Sequence, residues 1–353
     1  MPSGITNILA GRTAPPRNPH AIVILGGDRY DSFVDKQLIT RVEVELASDM
    51  SCEASFSVFD PRFEFLDKYN QGDGVPQLVC LFYLGFGNDL GPPVFKGLLA
   101  RVERGDTDST FVVYDMGYKM RTKLNAEYHK KLNDVEIVKK LAVRNGLLFE
   151  GPDEEANLDK HNSMIQDSKN DWEHSIERAR EAGYNLYVRQ DTLFMKEPAK
   201  IKSPLLRLQN RIDFWTLHNF SLTYKLPENQ QSRPKEVEHR ARKRGGRRLT
   251  GKSDQHSRGH RPVEFRRDPS IHTPSYMKRR AQGHKDLQRE PAFTCTIRSI
   301  PPLPGVRPDA RDTIEIQNVG RLFSGPYLCD KVKHTLTGSE FYTDYTLYRD
   351  IAR

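Results

Sequence analysis

The stretch "RVEVEL" (residues 41–46), followed by "SCEASFSVFD" (51–60), alternates apolar and polar side chains over both of its halves. Val42, Val44 and Leu46 fall on one face and Arg41, Glu43 and Glu45 on the other; then Cys52, Ala54, Phe56 and Val58 oppose Ser51, Glu53, Ser55 and Ser57. A period of two is that of a strand with one buried face, and two such runs in succession predict half-buried antiparallel strands. The same period returns near the other end of the chain, in "NFSLTYKL" (219–226), "FTCTIR" (293–298), "TIEIQ" (313–317) and "FYTDYTLYR" (341–349). Strands are therefore expected in two groups, before residue 125 and after residue 200.

The two groups share a local pattern. "VFKGLLARVER" (94–104) and "LFSGPYLCDKVKH" (322–334) both run apolar, Phe, any residue, Gly, and later basic, Val, any residue, basic, with two extra positions in the second. Each precedes a turn and an aromatic strand, "FVVYD" or "YTLYRD". The pattern predicts two similar small β-barrels in one chain.

Between the groups a second local plan is written twice, 37 positions apart, in "NDVEIVKKLAVRNGLLF" from Asn133 and "NDWEHSIERAREAGYNL" from Asn170. Each Asn is followed three residues later by Glu (Glu136, Glu173), the arrangement in which an N-cap side chain and a carboxylate satisfy one another's free amides, worth roughly 1 kcal/mol. Thirteen residues after each Asn stands a Gly (Gly146, Gly183), a helix stop, and strand-like sequence follows. Each copy reads helix, glycine, strand. The apolar stripes are Val135, Val138, Leu141 and Ala142 in the first helix and Trp172, Ile176 and Ala179 in the second. Asp171, Glu173, His174 and Glu177 bring carboxylates and an imidazole together as acid/base chemistry requires, but they lie off that stripe, among Arg178 and Arg180, and read as a solvated helix face.

The composition of the 353 residues, 37% hydrophobic and 29% charged, suits a soluble protein of two or more domains. No run approaches the roughly 20 apolar residues of a spanning helix, and "MPSGITNILAGRTAPPRNP" (1–19) lacks a signal-peptide core. Cys52, Cys80, Cys295 and Cys329 are scattered without metal-ligand spacing and read as reduced core thiols. The net charge of +8 is concentrated: residues 228–290 hold 18 Lys/Arg against 8 Asp/Glu and five of the eleven histidines. This segment, centred on "RARKRGGRRLTGK", reads as a basic insertion or arm. Its partner-binding candidates are Arg242, Lys243, Arg244, Arg247 and Arg248. "IVILGGD" (22–28) lacks the continuation of a nucleotide-binding loop and reads as a hairpin turn at Gly26 and Gly27. His256 and His260 stand four apart, but "SRG" between them argues against a shared helical metal site. No catalytic motif, cofactor site or metal site is expected.

The run "NSMIQDSKNDWEHSIERAREAGYNLYVRQDTLFMKEP" (162–198) and the later "TIEIQNVGRLFSGPYLCDKVKHTLTGSEFYTDYTLYRD" (313–350) resemble the late control D family of phage tail proteins. The family pattern of a Gln, a Trp-bearing helix, Gly-Tyr and a hairpin falls here on Gln166, Trp172, Gly183-Tyr184 and Leu186 to Met195. Its closing strands, Gly-x-Tyr, Val-x-His and a Thr-rich strand ending in Arg, fall on Gly325 and Tyr327, Val332 and His334, and Thr343 to Arg349. The resemblance implies an α+β, mainly β chain with two similar antiparallel β-barrel tube domains and an intervening α/β region. With it come these divisions: a first barrel at 1–124, an α/β region at 125–200, a second barrel at 201–227 and 291–353, and the basic arm at 228–290. It also implies a non-enzymatic baseplate hub of a contractile phage tail or phage-like injection system, located in the virion tail baseplate. The implied partners are two further copies in a homotrimer, a hexameric tail tube protein, a separate trimeric spike protein, and other baseplate proteins through the arm, with DNA passing through the ring without specific binding. Two rivals are a nucleic-acid-binding protein using the arm and a hub-associated cell-wall hydrolase.

Overall fold

The computed structural model describes residues 18–32, 34, 38–48, 51–69, 77–152, 159–210, 217–225, 236–242, 248–252, 263–267, 278, 280–281, 291–301, 307–338 and 340–349. The chain forms two compact units. One comprises residues 1–116, 199–224 and 293–353, the other residues 117–198 and 225–292.

The first unit is built on one 13-stranded sheet. Its early strands are β1 (Pro19–Leu25), β2 (Asp28–Asp31), β3 (Ile39–Ala47), β4 (Glu53–Phe59), β5 (Val79–Phe86), β6 (Phe95–Arg104) and β7 (Asp108–Asp115), with a single helical turn α1 (Glu64–Asp67) after β4. The late strands are β13 (Leu206–Gln209), β14 (Leu217–Tyr224), β18 (Phe293–Ser299), β19 (Thr313–Gln317), β20 (Gly325–Thr337) and β21 (Phe341–Arg349). The expected alternation is present: Val42, Val44, Ala54, Phe56 and Val58 are all within 1% of full burial, and Phe56 stacks on Phe111 with ring centres 4.9 Å apart. Each large apolar side chain so buried contributes about 1.5–3 kcal/mol. The Gly26–Gly27 link between β1 and β2 has both residues at positive φ, the two-residue turn whose twist matches that of the strands.

The strand order runs β14-β18-β21-β20-β3-β4-β7-β6-β5-β1-β2, with β19 also on β20 and β13 on β19. Two stretches of it are the same object. β3, β4, β7 and β6 correspond in order, direction and chain sequence to β14, β18, β21 and β20, and β5 lies on β6 as β19 lies on β20. The match extends to single residues. Both β3 and β14 carry a bulge near their start, between Ile39 and Arg41 and between Leu217 and Asn219. Both β6 and β20 carry one near the middle, between Leu99 and Arg101 and between Cys329 and Lys331. Aligned on these bulges, Val102 matches Val332, Phe111 matches Tyr345, Phe56 matches Ile297, and Val42, Val44 and Leu46 match Phe220, Leu222 and Tyr224. Even a polar rung is kept: Ser57 hydrogen-bonds Thr110 at 2.8 Å where Arg298 pairs with Asp344 at 2.8 Å.

The duplication expected from sequence is thus present in strand order and register, and one detail is corrected. The shared glycines are not equivalent positions, because register places Leu98 opposite Tyr114 and Leu328 opposite Tyr348, so Gly97 matches Tyr327. Gly97 has its own reason, since a Cβ there would meet the Tyr114 carbonyl oxygen at 2.1 Å. Two separate closed barrels are not found among the described strands. The repeats instead share one open sheet, joined where β20 pairs antiparallel with β3, from Lys331 opposite Ala47 to Thr337 opposite Arg41.

The second unit holds β8 (Leu124–His129), α2 (Asp134–Arg144), β9 (Leu148–Glu150), β10 (Met164–Asn170), α3 (Asp171–Glu181), β11 (Asn185–Arg189) and β12 (Thr192–Lys196). The doubled plan gives helices α2 and α3, packed on one another, and strands that merge in a sheet of order β11-β12-β9. Asn133 makes the full reciprocal cap, accepting from the Glu136 amide at 2.8 Å while its own amide donates to the Glu136 carboxylate at 2.7 Å. Asn170 makes only the first half, accepting from the Glu173 amide at 2.8 Å. Gly146 and Gly183 stop the helices with φ of 73° and 82°. The basic segment supplies β15 (Glu236–Arg242), β16 (Arg248–Lys252) and β17 (Val263–Arg267), a small sheet in which β15 pairs antiparallel with β16 and parallel with β17.

Candidate functional site

The residues weighed for acid/base chemistry lie on α3, and two of them contradict the solvated face expected from sequence. Asp171 and His174 are buried, together with Trp172, Ser175, Arg178 and Ala179, while Ile176 is only half-buried. Asp171, His174 and Arg178 are spaced i, i+3, i+7, so they form a row of their own beside the apolar row and enter the interior with it. The polarity of Asp171 is met by partners from other segments, whereas both ring nitrogens of His174 are buried without a hydrogen-bond partner.

Asp171 receives hydrogen bonds from Asn125 (2.8 Å), Asn145 (2.7 Å), Gln166 (2.9 Å) and the Arg144 Nε (3.1 Å), with Arg144 Nη2 also donating. Burial pushes its carboxyl up, but the donors from Gln166, Asn145, Arg144 and Asn125 outweigh burial and hold it below the usual carboxylate range. A carboxylate so engaged is a junction between α2, α3, β8 and β10, poorly placed to take up a proton. Asp134 plays the same part nearby, held by His161 at 2.9 Å and 3.6 Å from Arg178. Glu177 is ion-paired with Lys169 at 2.6 Å, and Glu173 is exposed. His174 stacks on His129 with ring centres 5.5 Å apart; burial, then the charges of Arg178 and His129, push the His174 pKa down to about 4.

Of the five basic candidates, only Arg242 and Arg248 are among the described residues. Arg242 ends β15 and Arg248 begins β16, and the two are register partners. Lys243, Arg244 and Arg247 lie in the connection between them, outside the described residues, as do His256 and His260.

Sequence reading missed surfaces of another kind. On the β8–β10 ribbon, Tyr128 and Ile165 are register partners, and both are exposed with Leu124 nearby on the same face of β8. In the large sheet, β14 forms one margin, and β6 beyond its bulge pairs only with β7 among the described strands. Phe220 on β14 is 44% exposed although its counterpart Val42 is fully buried. Alternation identifies these strands without revealing that they stand at a margin, since that depends on which strands pair.

Solved structures share this architecture. A tail protein from Neisseria meningitidis MC58 superposes with a TM-score of 0.67 over 94% of this chain and 97% of its own, at 13% identity. The chain has the fold of a tail protein. The 43 kDa tail protein of prophage MuSo2 from Shewanella oneidensis gives a TM-score of 0.65 over 94% and 98%, at 11% identity. The E. coli c3393 protein, a component of the type VI secretion system with structural similarity to the T4 bacteriophage tail proteins gp27 and gp5, gives 0.54 over 88% and 73%, at 9% identity. No curated protein matches the sequence. The family described as the Alg8 N-terminal domain matches residues 75–215, less than half of the chain. That stretch takes β5, β6 and β7 without β3 and β4, and then runs through the helices to β13, so it follows neither compact unit.

Proposed function

We propose that this chain is a non-enzymatic baseplate hub of the late control D type, in a contractile phage tail or a phage-like injection system. Three copies form a ring that joins a hexameric tail tube to a trimeric spike. The observation that carries this reading is the repeat, β14-β18-β21-β20 followed head-to-tail by β3-β4-β7-β6. A sixfold tube and a threefold spike cannot make identical contacts with one ring of identical simple subunits. A chain that contains one unit twice resolves the mismatch, because three copies display six near-equivalent surfaces. In the ring each repeat contributes one four-stranded stretch of sheet, and six repeats of four strands supply roughly 24 strands around the axis. Barrels of about 16 strands already enclose a channel, so such a ring is a conduit and DNA passes without specific binding. Its interfaces are obligate and large, about 2,000 Å² or more each.

The likeness to tail proteins supports the same assignment, and the hydrogen bonds that hold Asp171 as a carboxylate make it a structural junction and not a proton-transfer group. The test is the native mass of the purified chain, alone and with the products of its neighbouring genes. A mass three times that of the chain is expected, and a chain that stays monomeric or dimeric in both preparations defeats the reading.

The basic segment around Arg242, Lys243, Arg244, Arg247 and Arg248 is the arm that clamps an acidic face of another baseplate protein. Deleting residues 235–285 is expected to weaken that binding at least tenfold while leaving the ring intact; undiminished assembly counts against the arm's role.

A further inference from the structure

The first unit contains one complete joint between repeats and, at two separate places, the unmatched halves of the same joint. β20 has two zones divided by its bulge: Gly325–Leu328 pair with β19, and Lys331–Thr337 pair with β3. β6 is divided in the same way. Phe95–Leu98 pair with β5, whereas Arg101–Arg104 have β7 on one side and no described strand on the other. In turn β3 is paired on both sides, by β4 and β20, while its counterpart β14 is paired, among the described strands, only by β18. We propose that the Arg101–Arg104 zone of β6 in one copy pairs antiparallel with β14 of a second copy, in the register of β20 on β3.

The equivalences fix that register. Val332 faces Leu46, Lys333 faces Glu45 and His334 faces Val44 within the chain. Between copies, Val102 then faces Tyr224, Glu103 faces Thr223 and Arg104 faces Leu222, with Arg101 reaching Lys225. The last is a pair of like charges, and Glu103, 2.8 Å from Arg101, stands beside it.

Side chains support the pairing. Val332, Val42 and Val44 are fully buried at the internal joint and Leu46 is 6% exposed. At the matching positions of the free margins the residues are still apolar, but Val102, Leu222 and Tyr224 are half-buried and Phe220 is exposed. From Asn219 to Tyr224 the margin carries neither charge nor proline, the devices by which exposed strands avoid pairing with other chains. The contact is head-to-tail, each copy offering β6 to one neighbour and β14 to the other, and such contacts close into a ring when the rotation permits. The proposed ring supplies the number of copies; the pairing itself comes from the internal joint.

Paired cysteines test it. Glu103 and Thr223 are exposed, so an E103C/T223C chain keeps its fold, and the native thiols Cys52, Cys80, Cys295 and Cys329 are buried. Mild oxidation of the full chain, alone and with its neighbours, is expected to give covalent trimers on a denaturing gel. The pair E103C/N219C, four residues out of register, is expected to give at least tenfold less product. Covalent rings of another size retain the pairing and defeat the threefold reading. A threefold native mass without cross-linking of E103C/T223C overturns the pairing and leaves the ring. Equal cross-linking of both pairs, or of neither, likewise overturns it.

Discussion

Two kinds of buried polar residue set the chemistry of this chain. Asp171 is charged and saturated with donors; His174 and His334 are neutral and buried. Asp171→Asn keeps the shape but turns an amide toward Arg144, and is expected to lower the unfolding free energy by about 2–3 kcal/mol, read from denaturant titration. The histidines give a pH dependence of definite sign. His334, bonded to Thr343 at 2.8 Å, is pushed down to about 3 by burial and then by the Arg307 charge, and His174 to about 4. Both lie below the roughly 6.5 of an unfolded histidine. The unfolded chain therefore takes up protons first as pH falls, so this contribution is complete above about pH 6.5 and is lost as pH drops through 4 and then 3. Urea midpoints measured from pH 7 to pH 4 should fall, and His174→Gln should flatten the upper part of the fall. A midpoint that rose on acidification would contradict the assignment.

Among the elements, the two helices show what sequence conveys and what it hides. Asn133, Asn170, Gly146 and Gly183 marked both helices to the residue, because a cap is a local contract between neighbours in the chain. The inequality of the caps was not visible, since Glu136 turns back to its cap and Glu173 does not. Asn133→Ala is accordingly expected to cost about 2 kcal/mol and Asn170→Ala about 1, measured by hydrogen exchange of the first helical turns. Gly146→Ala meets no atom within 4 Å, so its cost of about 1 kcal/mol comes from the positive φ alone. The burial of Asp171 was misread because most of its donors, Asn125, Asn145 and Arg144, lie 26 or more residues away in sequence, and that of His174 because its ring stacks on His129, on another strand. The row Asp171, His174, Arg178 was the available signal, as regular as the apolar row beside it. Strands were legible from alternation, but their repetition was nearly erased, since Phe56 answers to Ile297 and Val42 to Phe220. Apolar character is kept at these positions while identity is not, because burial selects for the former.

For the molecule as a whole, equivalent positions have unequal roles, and one substitution placed twice exposes this. Val332→Asp puts a charge into the closed joint and is expected to cost more than 3 kcal/mol, unfolding the sheet unit. Val102→Asp sits on the free margin and is expected to change the stability of the single chain by less than about 1 kcal/mol while abolishing the threefold mass. Melting and native mass together read both results. A further consequence lies in hairpin length. β20 carries seven residues against β3, from Lys331 to Thr337, whereas β6 turns back into β7 after Arg104. A ring assembled from such chains alternates long and short lines of attachment. Under outward tension such a ring ruptures at the short lines first and comes apart as intact polypeptides.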